Sequence, residues 1–198
     1  MTLLLSFIFF ALYGISLDAQ TLPTLYDVEG VPSGEFLNVR EGPSVNNNIV
    51  EVISNDDRVE VLWEQGGWGF IGLGEVSGWV SMNFLTASPQ SESEITLPVT
   101  CYGAEPFWSI AIEEGVANYA TPEALSRPMT VQDSAPAKNG FTFQFTEENA
   151  PYTHTLIARA SRCSDGMSER VFGMSALIHM QTDVGNYVHQ GCCSFQTN

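Results

Sequence analysis

Alternation of apolar and polar residues with a period of two runs through most of this chain, and it leaves few folds open. Phe141, Phe143 and Phe145 alternate with Thr142, Gln144 and Thr146, so three rings share one face. Phe172, Met174, Ala176, Ile178 and Met180 form a second stripe, and Trp108, Ile110 and Ile112 a third. Successive side chains of a strand point to opposite faces, whereas a helix needs apolar residues at three- and four-residue spacing. No window carries such a helical stripe with capping residues. The expected fold class is all-β.

One change of composition divides the pattern. The stretch TASPQSESEITLP over 86–98 is rich in Ser, Pro and Glu, and its only aliphatic residues larger than Ala, proline aside, are Ile95 and Leu97. It reads as a linker over 87–98 between a unit at 25–86 and a C-terminal β-domain at 99–196. The first nineteen residues read as a signal peptide. Leu3, Leu4, Leu5, Phe7, Ile8, Phe9, Phe10 and Leu12 precede the first charge at Asp18, and Ala19 is the small residue expected before cleavage. Such a run is shorter than the roughly 20 residues a membrane span requires. The alternative is an uncleaved N-terminal anchor. After residue 19 no apolar run is long enough to cross a bilayer, so no membrane span is expected once the signal is removed.

Seven basic residues face twenty-three acidic ones, a net charge of −16. A surface of that sign repels phosphate backbones and anionic lipid, which argues against nucleic acid as a partner. Hydrophobic content of 44% supports packed cores and excludes a disordered acidic tail. Four cysteines, Cys101, Cys163, Cys192 and Cys193, all fall in the second half. An even count behind an export signal implies disulfides in an oxidising compartment, periplasmic or extracellular. Adjacent cysteines rarely bridge one another, so two pairings stay open. Either Cys101 joins Cys192 and Cys163 joins Cys193, or the partners are exchanged.

Between Phe36 and Leu85 short β-runs are separated by turns. Leu37-Asn38-Val39-Arg40 meets Glu41-Gly42-Pro43-Ser44, Ile49–Ile53 and Arg58–Trp63 are joined through Ser54–Asp57, and Gly66-Gly67 leads into Trp68–Leu73. In order and spacing, LNVREGPS, RVEVL, GWGFI and SGWVSMNFL resemble the bacterial SH3-like domain. That resemblance implies a small barrel, an envelope or secreted location, and recognition of peptidoglycan, cell-wall peptides or another extended ligand. Trp63, Trp68, Phe70, Trp79 and Tyr26 are the candidate ligand-binding residues, because extended chains dock well on flat rings that lose little entropy. The competing reading has these rings filling the barrel, and it is the preferred one for Trp79. Arg40 is expected either to pair with a carboxylate or to hold the Glu41–Ser44 loop, and the structural role is preferred.

The blocks Cys101-Tyr102-Gly103-Ala104-Glu105-Pro106-Phe107-Trp108, Cys163–Arg170 and Gly191-Cys192-Cys193 resemble a family of uncharacterised secreted bacterial β-domains carrying C-x-G-x-E-P-F-W, C-x-D-x-M-S-[DE]-R and G-C-C motifs. The resemblance implies a compact disulfide-closed β-domain and no particular reaction. A bridge from Cys101 to the C-terminal pair brings the first strand beside the last. That suits a barrel or bent sheet of roughly six to eight strands, lipocalin-like in outline. A bridge from Cys163 to the same pair closes a loop of about thirty residues, worth ~3 kcal/mol in the chain-entropy model.

The residue types present allow three chemical alternatives. A cysteine peptidase would use Cys101 with His154 or His179, but no helix follows Cys101 and a disulfide competes for it. A zinc site would draw on His189, Cys192, Cys193 and Cys163, against the oxidising compartment and without C-x-x-C spacing. Glu105 and Asp165 show no pairing as catalytic carboxylates, and Glu105 is expected instead to pair with Arg170 or Arg162. The sequence therefore points to a binding protein rather than an enzyme, with no cofactor, no metal and no catalytic residue assigned. Its partner would be peptidoglycan or an envelope protein. The runner-up role is an accessory or inhibitor of a cell-wall hydrolase.

Overall fold

The computed structural model describes residues 23–91 and 93–195, apart from the side chains of Ala124 and Leu125. The signal-peptide assignment lies outside these residues. Fifteen strands and one 3-10 turn at Met82–Phe84 make up the regular structure, and there is no α-helix among the described residues. No helix there is long and apolar enough to cross a membrane.

The first seven strands are β1 (Thr24–Val28), β2 (Leu37–Arg40), β3 (Ile49–Ile53), β4 (Arg58–Gln65), β5 (Trp68–Leu73), β6 (Val76–Ser81) and β7 (Leu85–Ala87). They form one antiparallel sheet in the order β3-β2-β6-β5-β4-β1-β7. Tyr26, Val28, Leu37, Val39, Ile53, Val59, Val61, Ile71 and Val80 come from six of these strands, yet pack into a single cluster. A flat sheet could not bring them together, so the sheet curls around its own core. The Gly66-Gly67 pair turns β4 into β5 with φ of 57° and 81°, a conformation that residues with a Cβ rarely adopt.

The remaining strands are β8 (Val99–Ala104), β9 (Phe107–Glu113), β10 (Val116–Thr121), β11 (Ala124–Ala137), β12 (Gly140–Glu147), β13 (Thr153–Ser164), β14 (Val171–Thr182) and β15 (Gly185–Phe195). Each pairs antiparallel with its successor, and β15 returns to β8, closing an eight-stranded barrel. The three period-two stripes read from the sequence line its interior. Phe145, Ile110, Ile112 and Ile178 are wholly buried, and Trp108, Phe141, Phe143 and Met174 nearly so. Side chains fill the interior, and the closed eight-stranded barrel matches the expected strand count. Cys101 and Cys193, directly opposite each other across the β8–β15 seam, are disulfide-bonded, and Cys163 is bonded to Cys192.

The two sheets pack against each other. On β4, Val59 and Val61 face the first core, while Glu60 and Leu62 on the reverse face are also buried, at 4% and 7% exposure. The barrel covers that reverse face. Gly173 of β14 lies against Leu62 and Pro23, Gly72 of β5 against the Val171 carbonyl, and the Val171 amide donates to Ser77 Oγ at 2.7 Å. Leu25 of β1 joins the barrel's apolar cluster rather than that of its own sheet. Ile95 and Leu97, the aliphatic residues of the 87–98 stretch, also pack on the barrel core.

Candidate ligand-binding face of the first sheet

The barrel leaves part of the first sheet's outer face open, and that part is aromatic. On β5 the inward positions are Gly69 and Ile71, so Trp68 and Phe70 point outward. On β6 the inward positions are Gly78 and Val80, which turns Trp79 outward. This corrects the preferred reading of Trp79 as core: Val80 fills the interior, at 0% exposure, and Trp79 is half-buried on the opposite face. The register of β4 against β5 shifts between Val61 and Trp63. The bulge places Leu62 and Trp63 on the same outer side, Leu62 under the barrel and Trp63 beside Phe70.

Cross-strand register then assembles a row. Trp63 faces Phe70, Phe70 faces Trp79, and Trp79 faces Arg40. The Trp63 and Phe70 rings are stacked with centroids 4.2 Å apart and planes 14° apart, and Trp79 meets Phe70 edge-on at 5.1 Å. Contacts of this kind add about 0.5–1.5 kcal/mol each beyond burial and hold the rings in fixed orientations. At one end Arg40 Nη1 donates to the Asn47 carbonyl at 2.7 Å, bracing the loop after β2, in line with the role expected of it. At the other end the guanidinium of Arg162, which comes from β13 of the barrel, lies 5.3 Å from the centre of the Trp63 ring.

Of the five aromatic residues singled out in the sequence, the structure brings Trp63, Phe70 and Trp79 together. Trp68 shares their face, two residues from Phe70 and opposite Ser81, and has no ring partner among the described contacts. Tyr26 is separate. It sits in the first core at 5% exposure, and its hydroxyl donates to Glu64 at 3.0 Å. Burial, together with the adjacent carboxylate, pushes its phenol up to about 12. Sequence reasoning missed Arg162, which lies 99 positions from Trp63; no local pattern announces that contact.

The other chemical groups are committed elsewhere. All four cysteines are in disulfides, so no thiol is present as nucleophile or metal ligand in this oxidation state. His154 is fully buried on β13. Its Nδ1 accepts from the Gln181 amide at 3.2 Å, which leaves the proton on Nε2 to be donated to Glu147 at 3.0 Å. Burial lowers its pKa against the opposing pull of Glu147. Among the described residues no group of three or more His, Cys, Asp or Glu converges as a metal-ligand set. The expected ion pair from Glu105 to Arg170 or Arg162 does not form: Arg170 donates to Ser194 Oγ and lies over Phe172, while Arg162 reaches Trp63. Asp165 is tied into its own loop. Burial opposes its ionisation, but the amides of Met167 and Ser168 and the Ser168 hydroxyl hold its pKa below the usual value.

Comparison with known proteins finds a match for one part of the chain. Residues 35–86 match the family model described as the bacterial SH3 domain, a span that contains all three residues of the aromatic row. No curated protein and no solved structure matches the chain.

Proposed function

We propose that the chain is an exported, non-catalytic binding protein of the cell envelope, and that the first sheet holds peptidoglycan or an extended envelope polypeptide. The row of Trp63, Phe70 and Trp79 carries this reading. Three rings in fixed orientation, half-exposed on a sheet, form a flat apolar wall on which sugar rings or an extended peptide can lie with little loss of side-chain entropy. The match of residues 35–86 to the bacterial SH3 domain supports a binding role, and two disulfides suit a compartment outside the cytoplasm.

The test is co-sedimentation of the full chain with purified peptidoglycan. Trp79→Ala removes the outward indole at the Arg40 end of the row without touching the core formed by Val80, and should weaken binding at least about tenfold, within the range of interface residues that cost more than about 1 kcal/mol on truncation. Its melting temperature is measured alongside. Wild-type binding by a folded Trp79→Ala protein would remove this face from consideration.

A further inference from the structure

Basic residues are scarce in this chain, seven against twenty-three acidic ones, so the use made of each arginine is informative. Arg58 is paired with Asp27 at 2.9 Å and Arg127 with Glu147 at 3.3 Å. Arg40 is bound to a backbone carbonyl, and Arg170 to Ser194 in the contact between the sheets. Arg162 is used differently. It is exposed, it crosses from the barrel to the first sheet, and no described carboxylate forms an ion pair with it. Arg40, Arg159 and Arg170 likewise form no described ion pair, and Arg162 is the one of these four whose guanidinium lies over a ring of the aromatic row.

The geometry suits that arginine to a ligand. Phe70 stacks on the Trp63 ring at 4.2 Å, and the Arg162 guanidinium lies 5.3 Å from the centre of the same ring. A guanidinium attracted to a ring by its charge keeps N–H donors available, and their fork matches the two oxygens of a carboxylate. The contact with Trp63 also restricts the side chain in advance, which lowers the entropy lost on binding.

We propose that the ligand of the aromatic row carries a carboxylate, that Arg162 receives it, and that the binding site is therefore built by both sheets together. This rests on the reading of the row as the binding face and adds the chemistry that face selects. The ligand carries isolated carboxylates rather than a dense run of charge, because the net charge of −16 repels a polyanion. A direct contact outweighs that repulsion, which is screened beyond about 8 Å at physiological salt.

The experiment uses the full chain and peptidoglycan in two forms, native and with its free carboxyls converted to amides. Wild-type protein should bind the amidated wall about tenfold more weakly than the native wall. Arg162→Gln should bind both forms at that lower level. Arg162→Lys should recover little, since an ammonium keeps the charge but loses the planar fork of donors. Equal wild-type binding to both forms, with Trp79→Ala still defective, overturns the carboxylate assignment and leaves the aromatic face standing. Wild-type binding by Trp79→Ala overturns both. If nothing sediments, the peptide Ac-Ala-Glu-Ala-NH2 and its Gln counterpart decide the question by NMR of the Arg162 Nε–H. A shift produced by the Glu peptide alone supports the assignment, and no difference between the two overturns it.

Discussion

Glu60 is a carboxyl group enclosed between two sheets, and it should make stability fall as pH rises. It is 4% exposed on the reverse face of β4, where the Phe195 amide donates to it at 3.4 Å. Loss of water raises its pKa from an ordinary 4.5 to about 8, against the smaller opposing effects of the Phe195 amide and the Arg170 charge. At neutral pH the native protein therefore keeps a proton that the unfolded chain releases. The contribution of Glu60 is fully present below the unfolded pKa, is lost progressively as pH rises from about 4.5 to about 8, and is flat above that. The slope in that window is at most about 1.4 kcal/mol per pH unit. Glu60→Gln keeps the shape and the acceptor for Phe195 while removing the titration. Thermal melts should show the variant more stable than wild type at pH 8 and equal to it at pH 4.5. A parallel pH dependence in the two proteins would place the anomaly elsewhere.

At the scale of elements, the sequence was most legible where strands obey the simple period and least where they bury both faces. The stripes at 108–112, 141–145 and 172–180 gave barrel strands directly, because a closed barrel has one filled face and one wet one. In β4 the run Val59-Glu60-Val61-Leu62 is buried throughout, and a lone glutamate within it gave no hint that a second sheet covers it. The bulge at Leu62, which aims Trp63 outward, is likewise a product of pairing with β5 and has no mark in the local sequence. The cysteine-bearing motifs prove to be largely architectural. The Trp108 indole donates to the Gln190 carbonyl at 3.2 Å, and a Cβ at Gly103 or Gly191 would collide with that indole, so both glycines exist to let it cross the seam. The Cys101–Cys193 bridge locks the same seam, where loss of closure would leave β8 and β15 as open edges. It spans 92 residues against 29 for Cys163–Cys192. The chain-entropy model then makes it worth roughly 4.6 kcal/mol, against roughly 3.6 for the shorter loop. Replacing Cys101 and Cys193 with Ala should lower the urea midpoint more than the same change at Cys163 and Cys192. The reverse order would mean that the seam is held mainly by its strand pairing.

Across the whole molecule, the docking of the two sheets determines both the anomalous carboxyl and the shape of the candidate site. Docking covers one end of the outer face at Glu60, Leu62, Gly72 and Ser77, leaves Trp63, Phe70 and Trp79 partly open, and brings Arg162 to the boundary. Gly72 is the place to perturb it. A Cβ there would overlap the Val171 carbonyl and press on Arg170, while Gly72 belongs to neither apolar cluster. Its φ does not lie in the positive region, so alanine meets no backbone obstacle and its effect is confined to the contact between the sheets. Gly72→Ala should leave both sheets folded but loosen their contact. Water then reaches Glu60, and its pKa, followed by carboxyl carbon NMR, should drop from about 8 toward the ordinary carboxylate value. Arg162 should leave Trp63 in the same variant, visible as a change in the indole fluorescence environment. Because both readouts arise from one contact, they should move together. A Glu60 titration that stays near 8 while Trp63 changes would show that the carboxyl is held by its own sheet, and the sheets would then have to be treated as independently positioned.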